Sequence, residues 1–347
     1  MNILESKQYR EDLDKISDTM DLGFFSNCTI LLTGGLGLIC SSIADLLLHY
    51  EIKKKKNIHI LIAARSRFAF EERYGNNQCV DYVSYDALKE NHFPPNIDYI
   101  VHGAGLASPE KYITLPVETM MTNIHGIYEL LEYSRINPIK RMVFISSSEV
   151  YGANNSVEPY SEEEYGYVNI DSLRSSYPES KRAAELLCRS FYSEYGVDSV
   201  IVRPGHIFGP SARKTDNRIS SAFAYQAANK EDIELKSSGL QNRSYMYAPD
   251  CARAIITVLM KGTAGEAYNI GSEKITTIKE MAEFYAKAGG VSLAAAEPTE
   301  EESRAFNPMN NASLNIEKLL ELGYHDTFTP EEGFLHTVNI IKQLFEQ

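Results

Sequence analysis

The stretch TILLTGGLGLIC, residues 29–40, decides how the rest of the chain is read. Its first five residues form an uninterrupted β-branched and leucine run, the pattern of a short buried strand. Glycines follow at 34, 35 and 37. Gly34 permits a tight turn after the strand, and Gly37 lets the backbone approach whatever lies over that turn. An apolar helix then spans residues 39–50, with Leu38 and Ile39 at its start, and a second apolar strand spans 58–63. Strand, glycine turn, helix and strand within about 30 residues present a bare helix N-terminus to an anion. The pyrophosphate of a dinucleotide is the anion such a unit takes.

The alternation continues outward. Strand patterns recur at 80–84, 99–102, 141–146 and 199–203, with helical patterns at 116–135 and 178–195. This predicts an α/β fold with a doubly wound parallel sheet of the Rossmann kind. After Arg203 the pattern breaks at Pro204, Gly205, Gly209 and Pro210, and residues 210–244 turn polar and basic. Apolar patterning returns at 245–272, and the remainder is mostly helical. The expected organisation is a polar helical leader (1–26), a dinucleotide-binding domain (27–203 and 245–272) and a smaller substrate-binding subdomain (204–244 and 273–347). Ligands of open α/β sheets bind at the carboxyl ends of the strands, where the smaller part is expected to sit.

Composition excludes several classes. With 347 residues, 44% of them hydrophobic and 23% charged, the chain is an ordinary globular one. Forty-seven acidic against 34 basic residues give a net charge of −13, which repels nucleic acid and anionic membranes. Apolar runs fall short of the ~20 residues that span a bilayer. The polar start of the chain lacks the apolar core of a secretory signal. The five cysteines, Cys28, Cys40, Cys79, Cys188 and Cys251, have no C-x-x-C spacing, as suits a reducing compartment. A cytoplasmic protein is expected. The eight histidines show no metal-ligand spacing, and no metal is expected. The lysine run at 53–56 reads as a solvated helix end rather than a nucleic-acid patch.

Two further motifs carry chemistry. In YPESK, residues 177–181, Tyr177 and Lys181 lie one helical turn apart on one face, and a lysine beneath a phenol favours its ionised form. In SSSEVYG, residues 146–152, a serine at the end of the fifth strand is placed to hydrogen-bond a carbonyl or alcohol beside that tyrosine. Together with the glycine turn, with RPGHIFGP at 203–210 and with RSY at 243–245, these motifs resemble the extended short-chain dehydrogenase/reductases that modify nucleotide sugars. Their relatives are the epimerases, 4,6-dehydratases and UDP-glucuronate decarboxylases.

The resemblance implies roles by position. Ser147, Tyr177 and Lys181 fall on the catalytic Ser/Thr, Tyr and Lys. Glu149 joins them as the discriminating acid, with Ser148 and Glu149 also facing the sugar. Gly34, Gly37, Leu38, Ile39, Asn123 and Asp86 fall on dinucleotide-binding positions, Asp86 near the adenine, and Tyr177 and Lys181 contact the nicotinamide ribose. Arg243, with help from Arg218 or Arg213, matches the holder of the substrate diphosphate. His206 replaces a family asparagine, and Cys40 replaces the third glycine. Relatives commonly form homodimers through two helices each, which here are the helices around 116–135 and 178–195.

The end of the second strand departs most. NAD-preferring members carry an acid there for the ribose 2′-hydroxyl, whereas this chain reads Ala63, Ala64, Arg65, Ser66, Arg67. Arg65, supported by Arg67, suits a 2′-phosphate, so NADP(H) is the expected cofactor, with NAD as the alternative and adenine stacking as another use of Arg65. A cofactor exchanged at each turnover suits a reductase. The expected activity is therefore reduction of a keto group on a nucleotide-diphosphate sugar, as in capsule-cluster enzymes that work on CDP-linked sugars. The alternative is an NAD-dependent decarboxylase or epimerase, since Ser147, Ser148 and Glu149 match the decarboxylase pattern and lack the dehydratase Asp. A cofactor-sensing regulator on the same fold is the non-enzyme alternative, opposed by the retention of Ser147, Tyr177 and Lys181.

Overall fold

The computed structural model describes residues 3–75, 77–153, 158–216, 218–298 and 311–345. From the N-terminus it runs α1 (Lys7–Ser17), β1 (Thr29–Thr33), α2 (Leu38–Lys54), β2 (His59–Ala64), α3 (Arg67–Tyr74), β3 (Val80–Ser84) and β4 (Tyr99–His102). Then come α4 (Pro109–Thr114), α5 (Pro116–Ile136), β5 (Arg141–Ile145), α6 (Ser176–Tyr195), β6 (Ser199–Pro204), β7 (His206–Phe208) and α7 (Ile219–Ala228). Beyond these lie β8 (Ile233–Leu235), β9 (Asn242–Arg243), β10 (Tyr245–Tyr247), α8 (Ala248–Lys261), β11 (Ala267–Ile270), α9 (Ile278–Gly289) and a C-terminal helix, Pro330–Phe345.

Seven strands form one sheet in the order β11-β6-β5-β4-β1-β2-β3. Every pair in it is parallel. Because successive strand residues face opposite sides, Ile30, Leu32, Ile60, Ile62, Val143 and Val200 pack on one face with α2 and α8. Leu31, Leu61, Ile100, Met142, Phe144 and Ile201 pack on the other, with Ile127, Leu130 and Leu131 of α5 and Ala184, Cys188 and Phe191 of α6. Chain order reverses between β1 and β4, and at their carboxyl ends lie Gly34 to Gly37 and Gly103 to Gly105. The two turns touch, since a Cβ at Gly34, whose φ is +66°, would stand 2.9 Å from the Ala104 backbone.

Element boundaries shift in ways that matter. α6 starts at Ser176 rather than 178, so Tyr177 lies in its first turn. β5 ends at Ile145, freeing Ser146 and Ser147 for the turn that follows. β2 runs one residue later than expected, to Ala64, so Arg65 is the first residue past it. α2 ends at Lys54, with Lys55 left-handed at φ 50°, and the lysine run is indeed a helix end.

Residues 7–17 carry a buried stripe of Tyr9, Leu13 and Ile16, capped by Ser6, whose hydroxyl accepts from the Tyr9 N–H at 3.2 Å. The Tyr9 hydroxyl donates to Asp45 on α2 at 3.0 Å. Asp12, fully buried, accepts from the Tyr247 hydroxyl at 2.9 Å and pairs with His336 of the C-terminal helix at 3.0 Å. The part beyond the sheet packs α7, α9 and the C-terminal helix around Phe334, which stacks on Phe208 at 4.0 Å. A parallel pairing of β7 with β10 sets His206 beside Tyr245, and β9 supplies Arg243. Among the described residues no helix is long and apolar enough to cross a membrane. No group of three or more His, Cys, Asp or Glu able to hold a metal occurs among them either.

Candidate active site

Gly37 is the N-cap of α2, exposed and without a side-chain cap. The first N–H groups of this 17-residue helix, from Leu38 and Ile39 onward, have no intrahelical acceptor, so the turn offers an open anion cradle. A Cβ at Gly37 would meet only the Gly34 carbonyl, at 3.2 Å. The third glycine of the resemblance is Cys40, and its thiol is accommodated because Gly103 has no side chain: a Cβ there would overlap Sγ. Packing between helix and sheet is therefore close at this point.

At the next turn of the site, Ser147 caps a 3-10 turn, Ser148–Tyr151, and its hydroxyl accepts from the Glu149 N–H at 3.2 Å. Ser148 and Glu149 lie half-buried behind it. Tyr177 is 6% exposed, with the Ser147 side chain near its hydroxyl. Burial, joined by the charge of Glu149, pushes the Tyr177 phenol up to about 12, while Ser147, Tyr112 and Arg218 pull it back. Lys181 donates from Nζ to the Ile145 carbonyl at 2.8 Å and lies 4.7 Å over the Phe144 ring. Burial lowers its own pKa to about 8. The expected lowering of the phenol by Lys181 is thus overruled: burial of the tyrosine wins, and Nζ sits 5.9 Å from the phenol ring with its hydrogen bond directed at β5.

Glu149 is held by Arg174 through two bonds of 3.0 and 3.1 Å, a fork-on-fork pairing. Arg174 in turn lies over the ring of Tyr112, 5.9 Å away. Tyr112 stacks on Tyr177 with centroids 4.3 Å apart and planes 8° from parallel. Neither Tyr112 nor Arg174 figured among the sequence candidates. The signals were present in SPEKY at 108–112, just after the β4 turn, and in an arginine three residues before Tyr177, but nothing local joined them.

Asn123 of α5 is fully buried, donating to the Thr119 carbonyl at 3.1 Å and to the Ser180 hydroxyl at 2.9 Å. Its Oδ1 has no partner. That oxygen and Lys181 Nζ flank Gly105, lying 2.8 and 4.0 Å from where a Cβ would be. An open helix N-terminus, a side-chain-free floor and an orphaned buried acceptor beside Lys181 fit a dinucleotide lying from the β1 turn to Tyr177. Asp86, just past β3, is tied to its own loop by the Leu88 N–H at 3.1 Å. Arg65 and Arg67 are exposed past β2, and Arg67 donates to Glu71 at 2.9 Å. These three follow the second and third strands, outside the group of Ser147, Tyr177 and Lys181.

The residues expected to face substrate, His206, Arg218 and Arg243, converge. Burial and the charges of Arg243 and Arg218 pull the His206 imidazole down to about 3, so it is neutral, with Nδ1 buried and unpartnered. Arg243 is 3% exposed, and burial lowers its pKa. Burial also opposes the charge of Arg218, but Asp216, 3.0 Å from its Nε, more than offsets this. Arg218 also reaches Tyr177 and Tyr112 electrostatically, linking the two halves of the site. Arg213 is exposed at the rim.

The profile of the NAD dependent epimerase/dehydratase family matches residues 30–271. UDP-glucuronic acid decarboxylase 6 of Arabidopsis thaliana is 32% identical over 263 residues, 75% of this chain and 74% of that protein. UDP-glucuronic acid decarboxylase 1 of Xenopus tropicalis is 29% identical over 322 residues, 91% of this chain and 73% of that one. In fold, the chain is similar to UDP-glucose 4-epimerase of Thermotoga maritima, with a TM-score of 0.77 at 23% identity over 91% of this chain and 99% of that one. The glycine turn at the switch point and the Ser147, Tyr177 and Lys181 cluster lie within the matched span, and the chain belongs to the NAD-dependent epimerase/dehydratase family of nucleotide-sugar enzymes.

Proposed function

We propose that the protein converts a nucleotide-diphosphate sugar without net redox change, as a decarboxylase or epimerase does. A sugar alcohol is oxidised to a ketone, the adjoining carbon loses carbon dioxide or a proton and then takes a proton back, and the ketone is reduced again. The observation that carries this reading is Glu149 beside Tyr177. Reduction alone needs an acid, a cation to steady its conjugate base and a donor to the developing alkoxide, and Tyr177, Lys181 and Ser147 are those three. Glu149 adds a second ionisable group, fixed by Arg174 and close enough for its charge to raise the Tyr177 pKa. Proton movement at a sugar carbon is the use for such a group. The relatives named UDP-glucuronic acid decarboxylase support the same reading.

NAD, held by the Gly34–Gly37 turn and by Asn123 and Lys181, would supply hydride acceptance and return. The chain's own residues do the rest. Tyr177 takes the alcohol proton and later gives it back, and Ser147 hydrogen-bonds the same oxygen. Lys181, cationic on the acid side of its lowered pKa, stabilises the phenolate. Arg243, Arg218 and Arg213 neutralise the diphosphate, which in a −13 chain requires such local positive charge. Neutral His206 and Ser148 offer hydrogen bonds without adding charge.

Arg65 favours a second reading, NADP(H)-dependent reduction of a keto group on a CDP-linked or similar sugar, because no acid stands at the end of β2. One experiment separates them. The protein is incubated with NAD or NADPH and with UDP-glucuronic acid, UDP-glucose and their CDP- and dTDP-linked counterparts and keto sugars. Conversion with no net nicotinamide absorbance change, with or without carbon dioxide release, supports the redox-neutral reading. Stoichiometric NADPH consumption overturns it in favour of the reductase.

The same proposal includes a homodimer. α5 and α6 lie side by side and expose Val117, Met121, Tyr128 and Ile136 from one, and Leu186 and Tyr195 from the other. A monomeric mass by light scattering would end it.

A further inference from the structure

We infer that Ser146 is a positioning residue for the reaction: its hydroxyl, held by Glu185, fixes the turn that carries Ser147 against α6 and so sets Ser147 at Tyr177. This rests on the reading of Ser147 and Tyr177 as the groups at the reacting oxygen, which the redox-neutral and reductive readings share. Tyr177, Lys181 and Glu185 stand at i, i+4 and i+8 of α6, in one row on one face. Two members of that row grip consecutive residues where β5 ends. Lys181 Nζ donates to the Ile145 carbonyl at 2.8 Å, and Glu185 Oε1 accepts from the Ser146 hydroxyl at 2.6 Å. The Ser146 N–H donates to the Val202 carbonyl at 2.8 Å, the last rung toward β6, since Pro204 has no N–H to return. From there the chain leaves the sheet. The same helix holds the far end of the turn, where Arg182 Nε donates to the Val150 carbonyl at 2.7 Å.

The Ser147 side chain bonds inside its own turn, to the Glu149 N–H at 3.2 Å, so its neighbours set its place relative to Tyr177. Alternation along β5 turns Phe144 and Ser146 to one side, toward α6. At 4% exposure the Ser146 hydroxyl needs a partner. Glu185, 2% exposed, is a rigid one. Arg203 donates to it from Nε at 2.9 Å and from Nη2 at 2.7 Å, and Arg189 adds a contact at 3.3 Å. Burial works against the Glu185 charge, and the Arg203 bonds more than offset it, holding the carboxyl below its usual range. An ionised carboxylate only accepts, so Ser146 is the donor and the bond is charge-assisted. Arg203 is fixed in turn by the Glu162 carbonyl at 2.8 Å and the Tyr151 hydroxyl at 3.1 Å. Both ends of the Ser147 turn, Ser146 and Tyr151, therefore meet in one buried ion pair.

Ser146→Ala removes the hydroxyl and leaves Glu185 its two arginines, so the buried pair survives. Amide hydrogen exchange of the full chain with NAD, read by mass spectrometry, reports on the turn without a substrate. Exchange at residues 147–152 is expected to quicken by about tenfold, while β5 and the body of α6 keep their rates. Turnover is then measured with UDP-glucuronic acid and NAD, and with NADPH and the keto sugars. In whichever reaction the unsubstituted protein performs, kcat is expected to fall by about tenfold to a hundredfold with KM nearly unchanged, as when reacting groups lose their alignment. Ser146→Thr keeps the hydroxyl and is expected to restore both the exchange rate and kcat. A serine that only supports the fold would lower the melting temperature and leave kcat of the folded enzyme as it was. Unmoved exchange or unmoved kcat in Ser146→Ala overturns the inference, as does a Ser146→Thr variant no faster than Ser146→Ala. A Ser147→Ala variant with full kcat takes Ser147 out of the chemistry, and the inference with it. NADPH consumption overturns the redox-neutral reading alone, and a loss of kcat in Ser146→Ala then supports the inference in the reductive reaction.

Discussion

The Cys40 thiol fills the volume that Gly103 leaves by having no side chain, so helix α2 and the turn after β4 are matched to each other. Gly103→Ala is expected to destabilise the protein by about 1–3 kcal/mol, the range for overpacking a close contact. In a Cys40→Ala background the same change is expected to cost less, since Sγ is gone. Urea unfolding of the four variants checks this, and equal costs in both backgrounds would show that the thiol is not the obstacle.

Lys181 is held buried with its pKa lowered from 10.5 to about 8. Below pH 8 both the folded and unfolded chains carry the proton, and the folded state bears the whole cost of burying it, about 3 kcal/mol. Between about 8 and 10.5 the unfolded chain binds more protons, so stability from this group rises with pH. Lys181→Met is therefore expected to be inactive yet more stable at pH 7, with the gap narrowing toward pH 10. A variant less stable at pH 7, with a pH-independent difference, would contradict the burial cost.

Arg203, fully buried, donates to Glu185 at 2.9 and 2.7 Å, and Glu185 also accepts from the Ser146 hydroxyl at 2.6 Å. Arg203→Met leaves the Glu185 carboxylate behind the catalytic turn with only Ser146 and the 3.3 Å contact of the partly exposed Arg189, and is expected to cost about 3–5 kcal/mol. Replacing both, as Arg203→Met with Glu185→Leu, is expected to recover much of that loss. Denaturant melts of the single and double variants decide it, and a double variant as unstable as the sum of the singles would refute the pairing argument.

Arg243→Ala is expected to weaken binding of free UDP by about tenfold to a hundredfold, as loss of a charge-assisted contact does, and to leave NAD binding unchanged. Calorimetric titration with each ligand measures both. An equal loss for NAD would place Arg243 outside the substrate side.

The residues that could be read in advance act through neighbours in sequence. The glycine turn works through backbone conformation at 34–37, and Tyr177 and Lys181 are one helical turn apart. The strands were legible because burial on both faces leaves continuous apolar runs such as Ile30 to Leu32. Tyr112 and Arg174 could not be read this way, since their meaning lies in contacts across 65 residues of chain, between α4 and α6. The net direction of the Tyr177 shift was equally hidden, because burial is a property of the assembled fold, whereas the i, i+4 lysine is visible in the letters. Charge alone marks Arg218 as a candidate for a phosphate contact, whereas its pairing with Asp216, two residues away, shows only in the fold.

Besides Gln8 in its own helix, Asp12 finds two partners late in the chain, Tyr247 and His336, the second 324 residues away. During synthesis, α1 emerges ahead of both and waits for them until β10 and the C-terminal helix have been made. The strands from β1 to β6 can pair in the order they appear, but the seat of α1 is finished only by the last helix. Contacts of such sequence separation form slowly. The nascent chain therefore carries the apolar stripe of Tyr9, Leu13 and Ile16 covered only in part, by α2, until α8 and the C-terminal helix are made, and chaperone demand should track translation speed in the final segment rather than in the sheet.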